Sequence, residues 1–200
     1  MKEVVRYKAV VVPMIGNKYV VIRDKQYGEF TFVIGGCKLN ESSVNCAVRE
    51  LKEETRGAIS IDPRSLGEPS FTFDSTLRSK SEREKNAREG IRVTMVHNVF
   101  IVKLDTPFTN IRNKYLSYRS TNNSSYNETS GIYLMTLNEI ETSNKTWQFM
   151  KNKIIPSLKG PTTNKWVRKT RPRSRSPSPS PANRWEPSFK RRKPNTPGKW

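Results

Sequence analysis

Residues 35–57, GGCKLNESSVNCAVRELKEETRG, constrain the fold and chemistry of this chain more than any other stretch. At about 3.6 residues per turn, Val44, Ala47, Val48, Leu51 and Thr55 fall on one mostly apolar stripe of a helix, and Glu50, Glu53 and Glu54 gather on the adjoining face. Carboxylates three and four residues apart destabilise a helix by roughly 0.2–0.5 kcal/mol per pair. Arg49, four residues before Glu53, relieves part of this repulsion. A hard divalent cation relieves the rest, because Mg²⁺ takes oxygen ligands from a few carboxylates, waters and substrate phosphates. The pattern predicts a Mg²⁺ or Mn²⁺ site on Glu50, Glu53 and Glu54.

The spacing resembles the Nudix box: Gly, five residues, Glu, seven residues, Arg-Glu, an aliphatic residue, any residue, Glu-Glu, any residue, Gly, aliphatic. Gly35, Glu41, Arg49, Glu50, Leu51, Glu53 and Glu54 hold the matching places, but Arg56 stands where the closing glycine belongs and Gly57 follows it. The departure reads as a helix longer by one residue, with Gly57 as its left-handed C-cap. The resemblance implies an α/β fold, a Nudix-type α/β/α sandwich with a mixed β-sheet, and hydrolysis of a nucleoside diphosphate linked to another group. It assigns Glu53, Glu54, Arg49 and Glu41 to catalysis, with Arg49 orienting Glu53 and Glu41 supporting the metal shell. Gly35 and Gly36 are expected on the substrate side, where they let the backbone come close to the metal site. The general base is left among Glu54, Glu82, Glu84, Glu89 and Glu139.

Strand-like runs flank this helix. Residues 4–14 (VVRYKAVVVPM) are rich in β-branched residues, with Pro13 expected to mark an end or an edge. Gly16-Asn17 is a turn signal leading to a second strand at 19–23, and 30–34 is a short strand feeding Gly35-Gly36. Ser42 or Ser43 is the expected N-cap of the helix. Further strands are expected at 58–62, 70–73, 91–104 and 132–136, the run 91–104 crossing the centre of the sheet. His97, inside that run, reads as an accommodated core histidine. Residues 77–90 are charged all round, the mark of a solvated loop or helix. Residues 106–131 read as a polar insertion outside the core, and Trp147, Met150, Ile154 and Leu158 as the packing face of a last helix.

From residue 160 the composition changes. Eight of the 13 prolines lie there, with 12 Lys and Arg against the single Glu186, a net +11 of the chain's +19. Such a segment cannot bury enough apolar area to offset the entropy of ordering it. The expected organisation is a hydrolase domain over 1–159 and a disordered Arg/Ser/Pro-rich basic tail over 160–200. Arg171, Arg173, Arg175, Lys190, Arg191, Arg192 and Lys193 are its candidate nucleic-acid contacts, and the cluster 190–193 also suits a nuclear import receptor.

The start, MKEVVRYK, has no apolar core of signal-peptide length, and no run approaches the roughly 18–20 apolar residues of a membrane span. The chain is expected inside the cell, cytoplasmic or nuclear, with no membrane partner and not secreted. Cys37 and Cys46 read as free thiols of a reducing compartment rather than as a disulfide. The net charge favours a long polyanion as partner, and the basic, compact chain with the box form RELKEET resembles the mRNA-decapping Nudix proteins of large DNA viruses. That likeness implies capped or 5′-phosphorylated RNA as substrate. The alternatives are a hydrolase of free nucleotides, ADP-ribose or diphosphoinositol phosphates, and a non-catalytic nucleic-acid-binding protein. A cap needs an aromatic clamp, for which Tyr7, Tyr27, Phe30 and Phe32 are the candidates near the box.

Overall fold

Strand β1 (Lys2–Ile15) is the axis of the molecule, a computed structural model that describes residues 1–76, 80–118 and 124–160. It runs parallel to β6 (Ile91–Lys103) along its whole length, from Lys2 opposite Ile91 to Met14 opposite Lys103, and β5 (Phe71–Ser75) lies antiparallel on the far side of β6. On its other edge β1 meets β2 (Lys18–Asp24) only beside the turn, Met14 with Tyr19 and Ile15 with Lys18. The two strands then part. The chain re-enters the gap between them: β3 (Phe30–Thr31) pairs with β2, the backbone bends at the fully buried Phe32, and β4 (Val33–Gly36) returns along β1, Val33 opposite Val11 and Gly36 opposite Lys8. Strand β7 (Thr129–Met135) covers the other edge of β2.

Side chains alternate between the faces of a strand, so β1 feeds two cores. Ala9 and Val11 pack with Cys46, Ala47 and Leu51 of α1 (Ser43–Glu54) and with Ile111 and Tyr115 of α3 (Phe108–Ser117). Val10 and Val12 pack with Ile140 of α4 (Leu137–Thr142) and with Met150, Ile154 and Ile155 around α5 (Gln148–Lys153) and α6 (Ile155–Leu158). Helix layers on both faces of a mixed sheet make an α/β/α sandwich. Helix α2 (Lys80–Arg88) buries none of its side chains and remains a solvated charged helix. Among the described residues no helix is long and apolar enough to cross a membrane.

Several expectations need correction. Pro13 does not end β1. Met14 O accepts from Leu104 N on the β6 side, so alternation turns the Pro13 nitrogen to the opposite edge, in the gap between the β4 and β2 pairings, where no donor is required. Residues 58–62 form no strand, because Thr55 Oγ1 takes the Ile59 N–H at 3.1 Å and Pro63 opens a 3₁₀ turn. The polar stretch 106–131 is not all outside the core: it contributes α3, whose Ile111 and Tyr115 are buried. The basic tail, with Arg171, Arg173, Arg175, Lys190, Arg191, Arg192 and Lys193, lies outside the described residues.

Candidate active site

The site is assembled where β4 hands over to α1. Ser42 caps the helix, its Oγ accepting from Asn45 N at 3.1 Å, and the first turns carry Arg49 and Glu50 back over the end of β4. Gly35 is required there by contact: a Cβ on it would stand 1.8 Å from the Glu50 carboxyl carbon. Gly36 has open space around it but lends its carbonyl to Arg49 Nη2 at 2.9 Å.

Arg49 organises the carboxylates. Its Nε and Nη2 grip Glu41 at 2.8 Å each, and Nη1 donates to Glu50 at 2.7 Å and to Glu53 at 3.1 Å. A planar guanidinium held at this many points fixes direction as well as charge. The Arg49 bonds hold the Glu41 carboxyl down at about 2, while that carboxyl raises the guanidinium further above its already high value. Glu54 takes the Ile34 N–H at 3.3 Å. Burial, reinforced by the Glu50 carboxylate, pushes Glu54 well above the usual carboxylate range, and burial pushes Glu50 up too.

Glu50, Glu53, Glu54 and Glu128 line one pocket together with Gly35, Gly36, Lys8 and Arg49. Four carboxylates face one pocket, and burial raises the pKa of two of them, Glu50 and Glu54, a cost that a bound cation would relieve. This donor set fits Mg²⁺ or Mn²⁺. Glu54, Glu128 and Lys8 also border a larger cavity of about 830 Å³ that opens beside the pocket.

No protein-family model matches the chain, and no curated protein does. Solved structures do. The MutT protein from Methanosarcina mazei Go1 superposes with a TM-score of 0.53 at 11% identity, covering 80% of this chain and 99% of its own. The E. coli dihydroneopterin triphosphate pyrophosphohydrolase gives 0.50 at 15%, covering 76% of this chain and 93% of its own. A Francisella tularensis bifunctional NMN adenylyltransferase/ADP ribose pyrophosphatase, complexed with AMP and a Mn ion, gives 0.50 at 12%, covering 77% of this chain but 41% of that longer one. This is a Nudix fold.

Within the Nudix box, Glu41 sits behind Arg49 and does not line the carboxylate pocket, so its route to the site runs through the arginine. The helix is not lengthened. It ends at Glu54, and Arg56 (φ 54°) takes the left-handed conformation ahead of Gly57, which is left-handed as expected (φ 71°), with the Arg56 N–H to Glu53 O at 3.0 Å and the Gly57 N–H to Lys52 O at 2.6 Å. This is a Schellman closure with arginine where glycine is usual. Cys37 and Cys46 are not free thiols: β4 and α1 bring their Cα atoms to 5.2 Å and they form a disulfide.

Of the proposed bases, Glu54 and Glu82 reach the larger cavity. Glu139 closes the capping box of α4 with Thr136, and Glu84 faces Lys80 on α2. Glu128 was missed by sequence reasoning, although it is the single carboxylate in residues 106–131. Phe32 is buried and so excluded as a clamp, whereas Tyr27, Trp147 and Phe149 line the cavity.

Proposed function

We propose that this chain is a divalent-metal-dependent Nudix pyrophosphohydrolase that cleaves a nucleoside-diphosphate linkage at the 5′ cap or 5′ end of RNA. The observation that carries the hydrolase reading is the pocket in which Glu50, Glu53 and Glu54 stand beside Glu128 under the control of Arg49. Glu50, Glu53 and Glu54 would hold Mg²⁺ or Mn²⁺, which when bound neutralises charge on phosphoryl oxygens and lowers the pKa of its water. The chain supplies the rest. Arg49 keeps the carboxylates in one orientation, Gly35 leaves room for Glu50, and Lys8 puts a cation where pocket and cavity meet. Glu128, which lines the same pocket and is not among the three metal-holding glutamates, would accept a proton from the attacking water.

RNA as substrate is supported by charge. A small nucleotide needs a few local cations, whereas this chain carries +19, of which +11 lies in residues 160–200. The test is incubation of wild type and Glu53→Gln with RNA labelled in the cap phosphate, with Mg²⁺ and with Mn²⁺, beside free nucleotides, ADP-ribose and diphosphoinositol phosphates. Release of a capped nucleoside diphosphate by wild type alone is expected. Turnover of a small substrate without release from RNA would replace RNA as substrate, and silence on both would leave a nucleic-acid-binding protein.

A further inference from the structure

Glu128 reaches the carboxylate pocket from the residue before β7, so the course of that strand end decides where its carboxyl group lies. Ile132 of β7 is buried in the core beneath α1. Strict alternation would turn Ser130 to the same side and Thr129 away from it. The reverse is found: Thr129 is buried, at 2% exposure, and Ser130 is exposed. The reason is a shift in register. Gly131 lies opposite Arg23 and Thr129 opposite Asp24, so Ser130 is an extra residue, and such a bulge bends its strand and re-aims the side chains beyond it.

The re-aimed end is fastened to α1 as well as to the sheet. Thr129 Oγ1 donates to Glu54 O at 2.9 Å and meets Tyr115 OH at 2.8 Å, and the Thr129 carbonyl accepts from Arg56 Nη2. The Arg56 guanidinium is itself held 4.5 Å over the Tyr115 ring. From the other side the Lys25 N–H donates to Glu128 O at 2.9 Å. Two successive carbonyls, those of Glu128 and Thr129, are thus gripped by different elements. Arg56 stands where the closing glycine of the box belongs. A glycine would close the helix as well, but it would leave the Thr129 carbonyl without its charged donor.

We infer that Arg56 is a positioning residue: it holds the start of β7 against the end of α1 so that the Glu128 carboxylate faces Glu50, Glu53 and Glu54. The inference rests on the reading of Glu128 as the proton acceptor in the hydrolysis. It adds that the acceptor's place is set by the position at which this chain leaves the box.

Two measurements test it, the first without turnover. With Cys37 and Cys46, the chain's two cysteines, joined, the Glu128→Cys variant has a single free thiol, which takes a trifluoromethyl tag. Mn²⁺ in the carboxylate pocket broadens the fluorine resonance steeply with proximity, and most of that broadening is expected to be lost when Arg56→Gly is added. In the second, wild type, Arg56→Gly, Arg56→Lys, Glu128→Gln and the Arg56→Gly/Glu128→Gln double variant are compared on cap-labelled RNA with Mn²⁺, at a temperature where circular dichroism shows each one folded. Arg56→Gly is expected to lower kcat by about a hundredfold, with KM and the calorimetric Mn²⁺ affinity unchanged. Arg56→Lys, which keeps a donor for the Thr129 carbonyl, is expected to recover part of the loss, and the double variant to be no slower than Glu128→Gln alone. Equal broadening with and without Arg56→Gly, no broadening in either, or a double variant slower than Glu128→Gln by the full factor of Arg56→Gly overturns the positioning role even if the RNA is cleaved. Loss of broadening with no turnover of RNA or of any small diphosphate overturns the hydrolase reading and leaves Arg56 as the residue that places Glu128.

Discussion

A single absent methyl decides where Glu50 can lie. With Gly35 replaced by alanine, the new Cβ would fall on the Glu50 carboxyl group, and the flexible end of that side chain would yield rather than the backbone. The fold should survive with a melting temperature close to wild type. The carboxylate, however, would move by more than an ångström, and displacements of that size cost about a hundredfold in rate. Gly35→Ala is therefore expected to lower kcat by about that factor and to raise the Mg²⁺ concentration needed for half-maximal activity. Thermal melts beside a metal titration of turnover would check both; unchanged turnover would show that Glu50 is not at the reaction centre.

The residues of this cluster were legible in the sequence because a helix repeats every few residues, so Arg49, Glu50, Glu53 and Glu54 had to share a side. Glu128 was not. It reaches the pocket because β7 pairs with β2 and stops short of it, and strand pairing over more than a hundred residues of separation leaves no local trace. Trp147, read as a packing residue, does pack against the core, and it lines the cavity as well. Its helical spacing with Met150 and Ile154 was visible, but the cavity opening beside it was not.

At the level of one element, the end of α1 shows how a departure from a motif is accommodated. Arg56 takes a left-handed backbone that costs a non-glycine residue roughly 1–2 kcal/mol. Its side chain offsets this: Nη2 donates to Thr129 O, and the guanidinium lies 4.5 Å over the Tyr115 ring. Thr129 Oγ1 donates to Glu54 O at 2.9 Å and meets Tyr115 OH at 2.8 Å, so α1, α3 and β7 are tied at one place. A hydrogen bond from a charged donor contributes about 1.5–3 kcal/mol, and the stacked cation about 0.5–2 kcal/mol. The losses outweigh the relieved backbone. Arg56→Gly, which restores the usual glycine, is expected to destabilise the protein by about 1–2 kcal/mol in urea melts, and a stabilised variant would refute this balance.

The start of α1 carries the opposite lesson. The Cys37–Cys46 disulfide closes a segment of sequence separation 9 that includes Glu41, the partner of Arg49. Closing so short a loop stabilises by about 2–3 kcal/mol in the chain-entropy account. Dithiothreitol is therefore expected to lower the melting temperature of wild type and not that of the Cys37→Ser/Cys46→Ser double variant. Sequence spacing could not reveal this bridge, because it depends on β4 delivering Cys37 to the side of α1 on which Cys46 is buried.

On the scale of the whole molecule, the two cores explain why the sheet was readable in outline and not in its connections. The β-branched runs marked β1, β2 and β6, whereas the division of β1 between two cores, Val10 and Val12 in one and Ala9 and Val11 in the other, appears only in the structure. The opening between β1 and β2, which puts Gly35 under α1, arises from pairings that no run of residues announces.

The same scale separates the reaction from the affinity for its substrate. The carboxylate pocket, the cavity and their supports all belong to residues 1–160, whereas 12 basic residues lie in residues 160–200. If those cations act by displacing counterions from a polyanion, they add binding without touching chemistry. Each phosphate neutralised on a single strand then contributes about −0.7 to the slope of log affinity against log salt. A chain ending at residue 160 is expected to hydrolyse small diphosphates at the wild-type rate, to bind long RNA more weakly at low salt, and to show a shallower salt slope. Full-length protein and the shortened chain, compared on one RNA and one nucleotide over a salt series, test this directly. An unchanged slope would mean that the segment contributes nothing to RNA binding, and the positive charge of residues 1–160 would then have to hold the RNA.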